Sequence, residues 1–217
     1  MANLIAIMGE SGSGKTTSLR NLDPSSTYII DCDKKGLSWR GWKKQYNKEA
    51  KNYFVTDDQN MVLAYLKNID ASAPHVKVVV VDTINGIMVA DENRRKDDKG
   101  YDKWSDLAWA VYNIIDYALT MRDDLTVVFV AHTQTERDES GFNHTRILTS
   151  GRKLDKIKLE SKFPTVLLAK TIDGRHVFET QANNSTAKSP MGMFDELHID
   201  NDLAMVDAAV REYNGEE

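Results

Sequence analysis

Residues 9–16 read Gly-Glu-Ser-Gly-Ser-Gly-Lys-Thr, a complete G-x-x-x-x-G-K-[ST] phosphate-binding loop, and no other stretch constrains the fold as much. Such a loop needs a buried strand before it and a helix after it. The apolar run Leu4–Met8 supplies the first, and Thr17–Leu22 is compatible with the second. Glycines let the backbone curl so that successive N–H groups point inward at phosphate oxygens, and the helix start adds partial positive charge. Gly9, Glu10, Ser11, Gly12, Ser13, Gly14, Lys15 and Thr16, with Thr17 beside them, are therefore expected to bind a nucleoside triphosphate. Lys15 would reach the β- and γ-phosphates, and Thr16 would offer its hydroxyl to Mg²⁺.

The remaining pattern extends this start into an α/β sandwich. Apolar, β-branched runs recur at Leu4–Met8, Thr27–Cys32, Tyr53–Val55, Val76–Val81, Thr126–Ala131 and Thr165–Ala169. Helical spacing separates most of them: Met61, Leu63, Leu66 and Ile69 form one face, and Trp104, Leu107, Val111, Ile115 and Leu119 a longer stripe. Near-continuous apolar strands alternating with helices indicate a mostly parallel, buried central sheet. Leu167–Ile172 and Arg175–Gln181 flank Asp173-Gly174, which predicts a C-terminal antiparallel hairpin. A last helix is marked by Leu203, Val206, Val210 and Tyr213. The expected organisation is a core over 1–194 and an acidic helix or tail over 195–217.

Three strand ends carry candidate chemistry. Lys77–Thr83 ends a buried strand with Asp82, the Walker B pattern, and Asp82 would hold the Mg²⁺ shell across from Thr16. Tyr28-Ile29-Ile30-Asp31-Cys32-Asp33 fits a strand inserted between the phosphate-loop strand and the Walker B strand, with two acids two residues apart. Asp33 is the candidate for positioning the attacking water. Val127–Thr133 is another buried strand, whose polar end places His132 as a sensor of the γ-phosphate. Trp39 or Arg40, after the Asp33 strand, is expected to pack on the base.

Two polar segments follow these strands. Asn93–Gly100 contains Arg94, Arg95 and Lys96; the segment after His132 contains Arg137, Arg146, Arg152 and Lys153 and is expected to begin with a mobile loop over Arg137–Gly151. Both could grip a nucleic-acid backbone. The charge distribution is compatible with that. The chain of 217 residues has net charge −5, but residues 195–217 hold eight acids and one base, which leaves the body at +2. Cys32 is the single cysteine, so there is no disulfide framework and a reducing cytoplasm is the expected setting. The apolar runs are too short to span a bilayer, and no membrane partner is expected.

In this order the motifs resemble the core ATPase of the RecA recombinase superfamily over roughly residues 3–182. Ile30-Asp31-Cys32-Asp33 resembles the family's Ile-Asp-x-Glu, Val79–Thr83 its Walker B strand, and Phe129-Val130-Ala131-His132 the strand ending in its phosphate-sensing residue. The polar loops near 94–103 and 136–151 fall where that family's DNA-binding loops lie. The second half is similar to phage-encoded AAA-type nucleotide-binding proteins, including Sak-type single-strand annealing proteins. It carries Gly151-Arg152-Lys153-Leu154-Asp155, Lys158-Leu159-Glu160-Ser161 and Ala187–Phe194. The resemblance implies a RecA-like P-loop NTPase fold, ATP and Mg²⁺ as cofactors, single-stranded DNA as partner, and a homo-oligomer in the cytoplasm of a bacterial host. It also implies a single-strand binding or replication protein as a further partner, and Lys188 as a residue acting on a neighbour's site. Asp33 departs from the family's Glu; its shorter reach implies slow hydrolysis or a role passed to Asp31, the alternative water-positioning group. Two other readings stay open: a nucleotide-switched helicase-loading or assembly ATPase, and a small-molecule phosphotransferase.

Overall fold

The computed structural model describes residues 1–97, 102–137, 141, 143–149 and 158–215, with the backbone alone for 102–108. Its strands are β1 (Asn3–Gly9), β2 (Thr27–Asp31), β3 (Tyr53–Val55), β4 (Val78–Asp82), β5 (Thr126–Arg137), β6 (Asn143–Ile147), β7 (Thr165–Ile172), β8 (Arg175–Glu179) and β9 (His198–Asp200). The α-helices are α1 (Trp42–Gln45), α2 (Gln59–Ser72), α3 (Ile84–Arg94), α4 (Asp102–Thr120) and α5 (Leu203–Tyr213). The sheet runs β3-β2-β4-β5-β1-β7-β8-β9, with β6 paired to β5. The strands from β3 to β7 along this path are parallel, whereas β8 and β9 are antiparallel.

Both faces of the sheet are covered, which is why its strands read as unbroken apolar runs. Along β1, Leu4, Ala6 and Met8 enter one apolar cluster, and Ile5 and Ile7 enter the other. This is the period-two alternation of a strand, here with an apolar partner on each side. Helices α2, α3 and α4 cover the first face through residues such as Leu66, Ile87 and Ile115. Leu19, Leu203, Val206 and Val210 cover the second. Each fully buried aliphatic side chain of this kind stabilises the fold by roughly 1.5–3 kcal/mol relative to exposure. Asp58 starts α2 by accepting hydrogen bonds from the Asn60 and Met61 amides.

The structure corrects four expectations. The helix after the phosphate loop is a 3-10 helix of six residues, Thr16–Asn21. Pro24 disfavours helical geometry at Asp23, and the chain is already extended at Leu22 (φ −64°, ψ 142°). The strand inserted between β1 and β4 is β5, which carries His132, while β2 lies on the far side of β4. Sequence order could not reveal this, because parallel strands are joined by crossovers and need not be neighbours. β5 does not stop at Ala131 but continues to Arg137 and pairs with β6, so a hairpin replaces much of the expected loop. Thr133 opposes Ile147 and Thr135 opposes Thr145. These β-branched side chains suit a ladder even without an apolar face.

The fourth correction concerns the C-terminus. The expected β7–β8 hairpin forms, with Asp173 (φ 50°) and Gly174 (φ 76°) both left-handed in its turn. His198–Asp200, in the segment expected as an acidic tail, then pairs with β8 as β9. Helix α5 is present as expected, but it is anchored. Asp202 accepts from the Ala204 amide at its start, and Arg211 pairs with Asp207 at 3.0 Å while also reaching the Lys77 carbonyl. Several C-terminal acids thus serve the fold.

Candidate functional site

β1 ends where the phosphate loop begins, and its registers place Gly9 opposite both His132 and Ala169. The β2–β4 register puts Asp31 opposite Asp82. The carboxyl ends of the central strands therefore deliver the loop, the Walker acid, the Asp33 turn and His132 to one edge of the sheet, where parallel α/β sheets bind ligands.

Within the loop, Lys15 is buried and donates to the Gly9 and Glu10 carbonyls, each at 2.8 Å. Burial lowers its pKa to about 8, against the opposing pull of the Asp82 charge. Gly14 sits at φ +96°, and a Cβ there would come within 2.8 Å of the His176 ring. Only glycine fits. Ser13 is buried, Ser11 and Gly12 are exposed, and Glu10 accepts from Thr133 at 3.0 Å. Thr17 shares a 3.0 Å hydrogen bond with Ser38, which brings the 38–40 segment against the loop. Arg40 is exposed there. Trp39 does not stand ready for a base. Its ring packs edge-on against Tyr46 with centroids 5.9 Å apart, and its indole N–H donates to Gln45.

Thr16 Oγ1 donates to Asp82 Oδ2 at 2.8 Å. Asp82 is wholly buried, and burial raises its pKa to about 6 despite that hydrogen bond. Its other oxygen, Oδ1, is buried with no hydrogen-bond partner among the described residues. A hydrated Mg²⁺ would supply the donors this oxygen lacks, and a hydroxyl with a carboxylate is a hard-oxygen set suited to that ion. Thr16 and Asp82 fit the metal role.

The two acids of the β2 end divide. Asp31 accepts from the Lys34 amide (2.8 Å), the Gly36 amide (2.8 Å) and the Tyr53 hydroxyl (2.6 Å), and so closes its own turn. Buried in that turn and lining no part of the cleft beside Asp33, it is not the alternative water-positioning group. Asp33 instead faces the site. Its Oδ1 accepts from Thr83 at 2.7 Å, its Oδ2 meets Lys35 at 2.5 Å, and His132 Nε2 stands 3.9 Å away. Burial pushes the Asp33 carboxyl up, but His132, Lys35 and Thr83 together outweigh it and hold the group well below the usual carboxylate range. An ionised, fixed carboxylate can orient a water rather than store a proton. Beside it lies a cleft of about 570 Å³ lined in part by Asp33, Lys35, Asn85 and His132.

Three residues that sequence reading passed over hold this arrangement. Gly86, in the first turn of α3, lies against the Cys32 carbonyl, and a Cβ there would also lie 2.8 Å from Asp33 Oδ1. Lys35 provides the ion pair just described. Buried Asn85 accepts from the His132 amide at 2.7 Å and donates to the Leu148 carbonyl at 2.8 Å, tying the Walker B helix to both strands at the open end of the β5–β6 ladder. Asn85 and Gly86 lie three and four residues beyond Asp82; a search of that turn for small or amide residues could have found them.

The basic residues proposed from the sequence are spread out. Arg94, at the end of α3, pairs with Asp57 at 2.5 Å; Arg95 pairs with Asp91 at 3.2 Å; Lys96 is exposed. Arg137 is exposed and donates to the Gly141 carbonyl. Arg146 does not present an open cationic surface as expected. It is buried and pairs with Glu136, because its register on β6 turns it back over β5. Arg152 and Lys153 lie outside the described residues. Lys188 is half-buried, with its backbone bridged to Val166.

A phosphate loop on β1, an acid on β4 and one strand between them define a P-loop NTPase fold. The sequence model of a family described as an AAA domain matches residues 1–191, and the chain belongs to that family. No curated protein matches the sequence. Among the described residues, no helix is long and apolar enough to cross a membrane.

Proposed function

We propose that this protein hydrolyses ATP with Mg²⁺, binds single-stranded DNA, and uses the nucleotide to control annealing during recombination. One observation carries the reading: Asp33, Thr83 and His132 converge on the Walker edge, and the His132 strand continues without a break into the hairpin bearing Arg137. Lys15 and the loop amides would hold the triphosphate, and Thr16 and Asp82 the metal, which supplies charge neutralisation between the phosphates. Asp33 orients the attacking water. His132, whose amide is held by Asn85, passes the presence of the γ-phosphate to the hairpin. Arg137 and Lys96, both exposed, are the described candidates for DNA phosphates.

The test is the ATPase rate of purified protein with and without single-stranded DNA, with Lys15→Ala as blank. The reading expects Lys15-dependent hydrolysis, stimulated by DNA, with DNA binding that weakens as salt rises. Hydrolysis indifferent to DNA would replace DNA with a protein partner. Phosphoryl transfer to a nucleoside or sugar would replace the ATPase itself.

A further inference from the structure

At the opposite end of the sheet, two contiguous clefts of about 460 and 330 Å³ open below β2 and β3. They share Tyr28, Ala50, Lys51, His75 and Val76, so they form one depression. Its inner wall is aromatic. The Phe54 and Tyr65 rings lie 4.1 Å apart at an interplanar angle of 33°, and Tyr28 follows at 5.9 Å from Tyr65. All three rings are half-buried, and burial, followed by the neighbouring Tyr65, pushes the Tyr28 hydroxyl above its ordinary value. The rim carries basic side chains. Lys48, Lys51 and His75 are exposed around it, and no carboxylate lines either cleft, in a chain whose net charge is −5. Lys51 is also held at φ 55°, a left-handed conformation that L-residues with long side chains seldom adopt.

An apolar, aromatic floor with two lysines at the mouth is the chemistry of a site for a flat ring carrying an anion. Aromatic faces stack on any base, while lysines and a histidine meet phosphate oxygens. Of the acids near it, Asp23 accepts from Ser25 and Ser26 and Asp70 from Arg122 and Tyr117, while Glu49, between Lys48 and Ala50, is exposed and lines neither cleft. We propose that this depression binds a nucleotide unit, its base against the Phe54–Tyr65–Tyr28 wall and its phosphate against Lys48, Lys51 and His75. The site is separate from the phosphate loop and does not depend on hydrolysis there. The unit has two sources with the same chemistry, a free mononucleotide or one residue of a single strand.

The experiment uses the full chain carrying Lys15→Ala, so that the phosphate loop does not dominate. Fluorescence anisotropy is read with dye-labelled AMP and with dye-labelled hexathymidylate at low salt. Two variants are compared in that background: Lys48→Ala/Lys51→Gly/His75→Ala, all exposed and with the left-handed position relieved, and Tyr65→Leu, which keeps bulk but removes the ring. The proposal expects both variants to lose at least tenfold in affinity for the probe that the parent binds. Binding of AMP that is displaced by hexathymidylate identifies a free nucleotide as an occupant; binding of hexathymidylate alone identifies the strand. Failure of the parent to bind either probe overturns the proposal. Unchanged affinity in the triple variant also overturns it, and unchanged affinity in Tyr65→Leu reduces the site to a plain anion patch and overturns it too.

Discussion

Asp82 is costly where it stands. It is fully buried, one oxygen lacks a partner among the described residues, and its pKa rises from 3.8 to about 6. A folded-state pKa above the unfolded value means that the folded protein binds the proton more tightly, so stability is lost as pH rises from about 4 to above 6. Asp82→Asn keeps an acceptor for Thr16 and removes the charge. Without metal it should raise stability by about 2 kcal/mol at pH 7.5, read as Tm, while abolishing nucleotide hydrolysis. Lys15 has the reverse chemistry. Its pKa of about 8 means that the free protein loses the loop cation as pH passes through that value. Triphosphate affinity should fall by up to about tenfold per pH unit above 8, and titration calorimetry from pH 7 to 9 would show it. A flat profile would mean that the ammonium does not meet the phosphates. Both residues were legible in the sequence because the phosphate loop and Walker strand are local patterns. Their pKa values were not, since burial depends on strands far away in the chain.

Between elements, Asn85 is the connection that matters. Its amide satisfies the His132 N–H and the Leu148 carbonyl at once. Asn85→Ala removes both hydrogen bonds in a part-buried setting, at about 1 kcal/mol. Basal hydrolysis should persist while the response to single-stranded DNA falls, with the two rates measured side by side. Equal loss of both would make Asn85 merely structural. Helix α5 offers a second test. It buries Leu203, Val206 and Val210 against the second face. Deleting residues 203–217 should cost roughly 5 kcal/mol and lower Tm sharply, at the scale of three buried aliphatic side chains. A detachable acidic tail would leave Tm unchanged. The β5–β6 hairpin was the least legible element. Thr, Gln, Glu and Arg alternate there without an apolar face, so periodicity had nothing to register, and cross-strand pairing alone makes the ladder.

For the whole molecule, the site is shared among elements distant in sequence: the loop on β1, Asp33 after β2, Asp82 on β4 and His132 on β5. Ligand binding should therefore stabilise the chain as one unit. With Mg·ATP at about a hundredfold excess over Kd the gain is about 2.7 kcal/mol. For a chain of this size that is a rise of roughly 5–10 °C in Tm, absent in Lys15→Ala. A rise confined to a minor transition would show that the β8–β9–α5 end unfolds separately.

The sequence by itself determined the phosphate loop, the Walker acid, the Asp33 turn, the parallel α/β class and the terminal hairpin. Each of these is a local code: glycines where the backbone must curl, an acid closing an apolar strand, Asp-Gly where two left-handed residues meet. Tertiary structure decided which strand lies between β1 and β4, which of two neighbouring acids lines the cleft, and which arginine is exposed. Asp31 and Asp33 are the same residue type two positions apart, yet one is buried closing its own turn while the other lines the cleft. Hydrogen-bond partners and burial come from chain segments brought together by the sheet, and no local pattern encodes them.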